Sequence, residues 1–364
     1  MKKSVAAFHK KKLFIIPAFL IIFLILSFQP FAFKNDTSEN YGVLRFSIDR
    51  AVAGELNAVS SIAERTAVKK KEYVMALIAD AHISEETYEA KRKVIEMLDG
   101  WSDIDSVAIL GDSCLARGTE KEYQLAKKFF ENLKLQKYFI TGNHEFYHKD
   151  SEHGAVKTAA DLSVLRALKL ERFKKAFDLP SLYYFRKIGN YLFIFLSVDS
   201  LDSKYLTTLS ETQLKWFSQV LADNKDMPTV VLCHAPLSGT FTVSAKTKDV
   251  NNSVIQPADK IKVIIRQNPQ IFMWVAGHKH IKAVSKDYAS PLNLYENQVI
   301  CLHNSSLYDK KAVKNNCWIN TLTLSENYVL VKTYDYKNQK WLYDLERKIF
   351  IPEKCRTVKL DGKK

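Results

Sequence analysis

The chain has 364 residues, 47% hydrophobic and 26% charged, which is typical of a globular protein long enough to bury one large core or two modest ones. Its formal net charge is +14, of which five charges come from lysines at the amino terminus and +9 are spread over the rest without an arginine-rich block. This composition argues against a disordered chain and against nucleic-acid binding, and favours a solvated basic surface near anionic lipid headgroups.

The amino terminus predicts a membrane anchor. Five lysines lie within residues 1–12, and residues 13–33 carry no charged side chain. A helix of that length spans roughly 31 Å, enough for a bilayer core, whereas a secretory signal has an apolar part of about 7 to 15 residues. Since Phe31-Ala32-Phe33 is a poor cleavage site, we expect an uncleaved single-pass transmembrane anchor over 13–33. Residues 1–12 would be a cytoplasmic basic segment, with the rest extracytoplasmic; secretion after cleavage is the alternative.

The remaining chain divides into three parts. Residues 34–70 read as a polar stalk and lead-in, where 51–66 could form a helix; the main domain is expected over 71–345, followed by a basic tail over 346–364. Short apolar runs rich in β-branched side chains predict the strands of this domain. They are 73–78, 107–110, 138–141, 191–198, 229–232, 271–276, 298–302, 318–323 and 328–334.

Helices are predicted between these strands. Two capping boxes indicate helix starts, and residues 84–98, closed by Gly100, indicate a third helix. The boxes are Thr119 with Glu122 and Ser210 with Gln213. Residues 149–178 form a longer helical insertion whose apolar side chains are expected to pack in the core. Strands followed by helices at this spacing predict an α/β sheet domain.

Five short motifs carry metal-ligating side chains, each just after the carboxyl end of a predicted strand, which is the edge where open α/β sheets bind ligands. They are Asp80-Ala81-His82, Gly111-Asp112, Gly142-Asn143-His144-Glu145, Cys233-His234 and Gly277-His278-Lys279-His280. Two divalent ions about 3.5 to 4 Å apart need imidazole nitrogens and carboxylate oxygens converging on one point, with one carboxylate shared. A single DxH or GD is more often a turn, but the five together predict a two-metal hydrolase.

In order and residue type these motifs resemble those of the calcineurin-like metallophosphoesterase superfamily: DxH, GD, GNH followed by Asp or Glu, a lone His, and GHxH. The resemblance covers residues 71–344 and implies a β-sandwich flanked by helices in α/β/β/α layers. It also implies two divalent ions, with Mn, Fe or Zn admitted by such ligands. One ion would be held by Asp80, His82 and His280 and the other by Asn143, His234 and His278, with Asp112 bridging.

The same resemblance gives His144 a catalytic role, to protonate the leaving oxygen or to stabilise developing charge while hydroxide attacks phosphorus in line. Neighbouring residues receive other interpretations. Glu145 is expected to accept local hydrogen bonds, Cys114 to pack in the core rather than bind metal, and Cys233 to face away from the metals. Five cysteines without a CxxC pair predict no disulfide framework, although a Cys301–Cys317 bridge stays open. The remaining histidines of the domain, expected to be structural or superficial, are His148, His153 and His303.

The expected activity is metal-dependent phosphoester hydrolysis. Residues 111–118 do not match the GDxVDRG motif of serine/threonine protein phosphatases, and the chain has no room for the extra domain of 5'-nucleotidases. The layout resembles the small phosphodiesterase branch, which includes cyclic-nucleotide phosphodiesterases and lipid-linked pyrophosphohydrolases. Two alternatives stay open: hydrolysis of phospholipid or of cell-envelope phosphoesters or pyrophosphates, which the anchor favours, and an inactive binding scaffold. The sequence predicts neither the substrate nor the oligomeric state.

Overall fold

The computed structural model describes residues 72–150, 152, 156–244, 249–307 and 317–356. The predicted basic segment 1–12, the anchor 13–33 and the lead-in 34–70 all lie outside these ranges. Within the ranges, no helix is both long and apolar enough to cross a bilayer.

Three of the five described α-helices begin at a side-chain cap. The Thr119 hydroxyl accepts from the Glu122 N–H while the Glu122 carboxylate accepts from the Thr119 N–H, so the predicted capping box is present. Ser210 caps its helix through the Gln213 N–H, but the Gln213 side chain bonds the backbone of Ser197 and leaves the second box half formed. The helices are α1 Tyr88–Asp99, α2 Glu120–Glu131, α3 Ala159–Ala176, α4 Glu211–Asp223 and α5 Ala258–Gln267.

Two helices differ from the prediction. α1 begins at Tyr88 and not at residue 84, because the Ser84 hydroxyl bonds both the hydroxyl and the N–H of Thr87 and forms a turn there. α5 has no counterpart among the predicted helices. Pro257 precedes it without a side-chain cap, so the sequence offers no start signal of the usual kind.

The nine predicted strands are present, each within two residues of its expected bounds. The described strands are β1 Tyr73–Ile78, β2 Ser106–Leu110, β3 Gln136–Ile140, β4 Tyr184–Ile188, β5 Tyr191–Leu196, β6 Thr229–Cys233, β7 Ile271–Ala276, β8 Leu294–Tyr295, β9 Val299–His303, β10 Trp318–Leu324, β11 Tyr328–Asp335, β12 Lys340–Trp341 and β13 Arg347–Phe350. The four that were not predicted, β4, β8, β12 and β13, are short and mostly solvent-facing. They lack the apolar run that marks a buried strand.

These strands form two mixed sheets, which confirms the α/β class. One sheet has the order β12-β11-β10-β1-β2-β3, with β13 also on β11, and the other has the order β4-β5-β6-β7-β9-β8. β1, β2 and β3 are mutually parallel, as are β5, β6, β7 and β9. Since parallel strands share one carboxyl edge, the loops after β1, β2 and β3 lie together, and so do those after β6 and β7.

Three apolar cores separate the layers. One lies between the sheets, where Met75 of β1 and Phe193 of β5 belong to the same cluster. A second lies between the first sheet and helices α1 and α2, and a third between the second sheet and helices α4 and α5. Helices therefore cover both outer faces of a β-sandwich, in the expected α/β/β/α order.

α3 lies within the predicted insertion 149–178 and joins two of these cores. Leu170 packs in the core of the second sheet and Phe173 in that of the first. Leu165 is also buried, as expected, but Leu168 is 50% exposed and is an exception to the predicted packing.

The predicted basic tail 346–364 contributes a strand to the fold. β13 pairs antiparallel with β11, from Val331 opposite Arg347 to Tyr328 opposite Phe350. Ile349 is buried in the core between the sheets, which explains why the chain continues as part of the domain beyond residue 345.

Candidate metal centre

The seven predicted ligands lie together, in the loops that follow β1, β2, β3, β6 and β7. Three sets of histidine and carboxylate side chains have ligand atoms within 4.8 Å of one another. They are Asp80, His82 and His280; Asp112, His234 and His278; and His82, Asp112 and His144. Asn143 joins the second set, since its Oδ1 is 3.2 Å from His234 Nε2. The assignment of each side chain to a particular ion stays a prediction.

Asp112 belongs to the second set and also lies close to the first. Its Oδ2 is 3.3 Å from His234 Nε2 in one set and 3.7 Å from His82 Nε2 in the other. Its Oδ1 accepts the backbone N–H of His144 at 2.9 Å, which fixes the rotation of the carboxylate. One oxygen within reach of both sets is the geometry required of a bridging ligand.

Backbone carbonyls determine which ring nitrogen of each histidine faces the centre. His234 Nδ1 is 2.9 Å from the Leu110 oxygen, and His278 Nε2 is 2.8 Å from the Asn252 oxygen. Because only a protonated nitrogen bonds a carbonyl, His234 Nε2 and His278 Nδ1 face inward, 3.1 Å apart. His82 is held in the same way, its Nδ1 lying 3.2 Å from two carbonyl oxygens.

The electrostatics of the centre differ from one histidine to the next. Burial lowers the pKa of both His82 and His278 to about 4, so both rings are neutral at pH 7. Burial also opposes a charge on His234, but the Asp112 carboxylate outweighs it and raises the pKa of His234 to about 10. The centre therefore takes up a proton at this point, or a metal ion that displaces it. The donor set fits two divalent ions.

Five of the predicted ligands have backbone angles that L-residues rarely adopt. Nine of the described non-glycine residues have positive φ, and five of the nine are Asp80, His82, Asp112, His278 and His280, with φ between 39° and 63°. This left-handed conformation costs free energy that the surrounding structure must supply. Because this strained conformation is concentrated at the centre, we infer that the fold accepts its cost in order to position the ligand side chains.

Two motif glycines are required by close packing against the carboxylates. A Cβ at Gly142 would lie 2.2 Å from Asp112 Oδ1, and one at Gly277 would lie 2.6 Å from Asp80 Oδ2. Any side chain at either position would displace a predicted ligand, which explains why glycine precedes Asn143 and His278.

Glu145 is the local hydrogen-bond acceptor that the sequence predicted. Its Oε2 accepts the N–H groups of Asp112 and Gly142 at 2.8 and 2.6 Å, and its Oε1 accepts those of Ser113 and Cys114 at 2.6 and 3.0 Å. Burial raises the pKa of Glu145, while the backbone N–H donors oppose that rise. The carboxylate thus joins the loop after β2 to the loop after β3.

Two supporting residues lie outside the motifs: the role of Lys91 was not predicted, and His148 has a structural role of the kind expected for it. Lys91 of α1 is fully buried, and its Nζ donates to the carbonyls of Ala81 and His82 at 2.6 and 2.8 Å. His148 Nε2 is 3.3 Å from Asn143 Nδ2, a contact that turns the amide oxygen toward His234. Neither residue has a sequence signal, since a helix lysine is ordinarily solvated and His148 is set by loop folding.

His144 lies at the rim of the centre. Its Nε2 is 4.0 Å from Asp112 Oδ2 and its side chain is 29% exposed, so it borders both the centre and solvent. It lines an open recess of about 410 Å³ together with Ala116, Arg117, His148 and Lys149, here called the His144 recess. A second recess, here called the His280 recess, has a volume of about 360 Å³ and includes Phe241, Lys279, His280 and Lys282.

The sequence model of the calcineurin-like phosphoesterases matches residues 74–282, which contain all five motifs. The chain belongs to this family. Membership makes the domain a calcineurin-like phosphoesterase with clustered metal-ligand residues. When bound, two divalent ions would lower the pKa of a water molecule and neutralise phosphoryl oxygens.

Two solved structures have a similar fold. A dimetal phosphatase from Danio rerio has a TM-score of 0.51 at 13% identity, covering 77% of this chain and 99% of its own. Purple acid phosphatase PPD1 from yellow lupin (Lupinus luteus) seeds has a TM-score of 0.50 at 16% identity, covering 75% of this chain and 53% of its own. At these identities the likeness shows the fold alone. No curated protein gives a significant match.

The remaining cysteine and histidine predictions concern residues beside the centre. All five cysteines are free, so Cys301 and Cys317 form no bridge, and Cys114 and Cys233 pack in apolar cores as expected. His303 is 1% exposed and its Nε2 bonds a backbone carbonyl at 2.9 Å, a structural role. The other unassigned histidine, at position 153, lies outside the described residues.

Proposed function

We propose that this calcineurin-like phosphoesterase hydrolyses phosphodiesters with two divalent ions, Mn, Fe or Zn. The observation that carries the proposal is the facing pair of imidazole nitrogens, His234 Nε2 and His278 Nδ1, beside the shared Asp112 carboxylate. In this proposal Asp80, His82 and His280 hold one ion, and Asn143, His234 and His278 hold the other. His144 delivers a proton to the leaving oxygen.

Two recesses that adjoin different side chains of the centre support a diester substrate. One adjoins His144 and the other adjoins His280, which belongs to a different donor set. A phosphodiester carries two substituents on phosphorus, and each needs room on its own side of the reacting atom. A phosphomonoester needs only the leaving-group side.

The test compares turnover of bis(4-nitrophenyl) phosphate and 4-nitrophenyl phosphate by the purified full-length chain, with added Mn²⁺ and with chelator. We expect chelator-sensitive turnover that favours the diester. Asp112→Asn and His144→Ala should each lower kcat by at least about 100-fold, since general acid catalysis alone contributes about 10² to 10⁴. Asp223→Asn, an exposed aspartate of α4, is the control. Turnover that persists with chelator, or in Asp112→Asn, would contradict the proposal.

The uncharged run 13–33 supports a second proposal, that the domain is held at the extracytoplasmic face of a membrane. That placement favours phospholipid or cell-envelope phosphoesters as alternative physiological substrates. Phospholipid vesicles added to the assay separate soluble from lipid substrates. If a phospholipid is the natural substrate, the vesicles should lower turnover of the soluble diester, because both compete for the same centre.

A further inference from the structure

A polar segment after β9 lies beyond the part of the chain that the family model matches. Asn304, Ser305 and Ser306 directly follow the strand, and each is at most 7% exposed. The family match ends at residue 282, and none of the five motifs includes these residues. A polar side chain that is buried to this extent is destabilising unless it is hydrogen-bonded. The hydrogen-bond partners of the segment therefore indicate what it supports.

Ser306 holds the loop that carries Asp80. The Ser306 hydroxyl donates to the Asp80 carbonyl at 2.9 Å, and the N–H of Leu307 donates to the Ala79 carbonyl at 2.9 Å. The peptide groups on both sides of the Asp80 Cα atom are thereby fixed, at a residue whose φ is 49°. Because this conformation is costly for an L-residue, these two hydrogen bonds help to keep the Asp80 carboxylate at the centre.

The loop that carries His280 is held at both of its ends by the same segment. The Asn304 side-chain amide donates to the Ala276 carbonyl at 3.0 Å, and the Ser305 hydroxyl donates to the Ile281 carbonyl at 2.8 Å. Ala276 precedes the last motif and Ile281 directly follows His280. The segment therefore restricts movement of this loop relative to the loop after β1.

The segment is itself anchored in the first sheet. Asn304 Oδ1 accepts from Asn320 Nδ2 at 2.9 Å, and Asn320 Oδ1 accepts from the hydroxyl groups of Thr333 and Tyr288. Asn320 lies on β10 and Thr333 on β11, and all four side chains are buried. A buried network whose members are hydrogen-bonded in this way is rigid, so the segment is a firm support for the two loops.

We propose that Ser305 and Ser306 are positioning residues for the ion assigned to Asp80, His82 and His280, here called the first ion. The inference rests on the proposed function, because it adopts that assignment. Asp80 and His280 are the two donors whose loops the segment joins, and His280 Nε2 lies 3.2 Å from Asp80 Oδ1. Loss of either serine hydroxyl would let these two donors separate, which weakens binding of the first ion.

The donors of the other ion, here called the second ion, are held by different contacts. The rings of His234 and His278 are fixed by the carbonyls of Leu110 and Asn252. Neither carbonyl belongs to the segment after β9. Removal of a serine hydroxyl from that segment should therefore weaken mainly the first ion.

The test titrates the full-length chain with Mn²⁺ and follows electron paramagnetic resonance, because two neighbouring Mn²⁺ ions are magnetically coupled and an isolated ion is not. Ser305→Ala and Ser306→Ala should each weaken one ion about 10- to 100-fold. The signal of an isolated ion should then persist at Mn²⁺ concentrations where the unsubstituted chain shows the coupled pair. Ser306→Thr keeps the hydroxyl and should restore the pair. Ser218→Ala is the matched control, since it removes a serine-to-carbonyl hydrogen bond within α4.

Two ligand variants identify which ion is weakened. His280→Ala removes a donor of the first ion, and adding Ser306→Ala to it should leave the affinity for the remaining ion unchanged. His234→Ala removes a donor of the second ion, and adding Ser306→Ala to it should lower the affinity for the remaining ion about 10- to 100-fold.

Equal weakening of both ions would overturn the inference, since the serines would then support the loops without favouring either ion. Unchanged affinity in both serine variants would overturn it as well. Urea unfolding with chelator shows separately whether each variant folds, and Ser305→Ala decides the matter if Ser306→Ala does not. A coupled pair of ions in a chain that hydrolyses no phosphodiester would instead contradict the proposed function and retain the positioning role.

Discussion

At the metal centre, individual side chains are held by the backbone of neighbouring loops more than by one another. His234 and His278 are each fixed by a carbonyl, and Glu145 accepts four backbone N–H groups. Outer partners of this kind are known to govern ligand orientation and metal affinity. The ligands can therefore be weakened by substitutions that touch no ligand side chain.

Glu145→Gln tests this directly. The amide has one acceptor oxygen where the carboxylate has two, so its NH₂ group would face two backbone N–H donors. We expect the free energy of unfolding to fall by about 2–4 kcal/mol and metal affinity to fall about 10- to 100-fold. Urea unfolding with chelator measures the first and Mn²⁺ titration calorimetry the second. Glu131→Gln, an exposed glutamate of α2, is the control; equal behaviour of the two variants would show that the four bonds are unimportant.

Asp199 predicts a pH dependence of stability at a site away from the ligands. Burial raises the pKa of Asp199 to about 6, although its carboxylate accepts from the N–H and hydroxyl of Ser210. Its pKa in the unfolded chain is about 3.9, so the folded state holds the proton more tightly. The stability contributed by this group is therefore largest below pH 4 and is lost as pH rises to 6.

Asp199→Asn removes that titration. From pH 4 to pH 7 the variant should gain stability relative to the unsubstituted chain by an amount on the order of 2 kcal/mol. Urea unfolding at both pH values, with chelator present throughout, gives the difference. Asp223→Asn should show no such change, because Asp223 is exposed. A relative loss of stability toward pH 7 would reverse the sign and refute the assignment.

Among the helices, α3 has a structural role that its apolar pattern alone does not indicate. Besides packing Leu170 and Phe173 in the apolar cores, it carries the buried Lys169, which donates to the loop after β2 and to the loop after β3. The same helix places Arg172 against the Gly118 carbonyl and Glu120. The helix of the predicted insertion thus stabilises the two loops that line the His144 recess.

Lys169→Met tests how much these contacts of Lys169 contribute to the free energy of unfolding. The substitution leaves Asp150 buried without its ammonium partner, and breaking a buried pair costs about 3–5 kcal/mol. Lys174→Met lies on the same helix and removes only a surface pair with Glu171, which is worth about 0–1 kcal/mol. Thermal and urea unfolding of both variants give the comparison. The addition of Asp150→Leu to Lys169→Met should recover part of the loss, and failure to do so would place the cost in packing instead.

At the scale of the whole chain, the proposed role of the first 33 residues can be tested separately from the activity of the phosphoesterase domain. Under the proposed membrane anchoring, deletion of residues 1–33 should move the protein from the membrane fraction to the soluble fraction, because the uncharged run would supply the apolar area for insertion. Protease added outside intact cells should degrade the domain of the unsubstituted chain. Amino-terminal sequencing separates the alternatives, since a mature protein that begins after residue 33 would show that the segment is cleaved.

The sequence by itself determined the features that depend on local pattern. Apolar runs located nine strands, Thr119 and Ser210 marked helix starts, and five motifs after strands selected the residues of the centre. These signals are local because strand burial, capping and glycine placement each act over a few residues. Edge strands such as β4 and β13 were not predicted, since a solvent-facing strand has no apolar run.

Only the tertiary structure decided how the centre is supported. The inward-facing nitrogens of His234 and His278 depend on carbonyls 124 and 26 residues away in the chain, and the two loops bonded by Lys169 lie 52 and 21 residues from it. From sequence alone, a lysine on a helix is expected to be solvated, and only the packing of α1 and α3 buries Lys91 and Lys169. Such contacts join residues distant in sequence, so no local pattern encodes them, and they exist only when the sheets and helices have assembled.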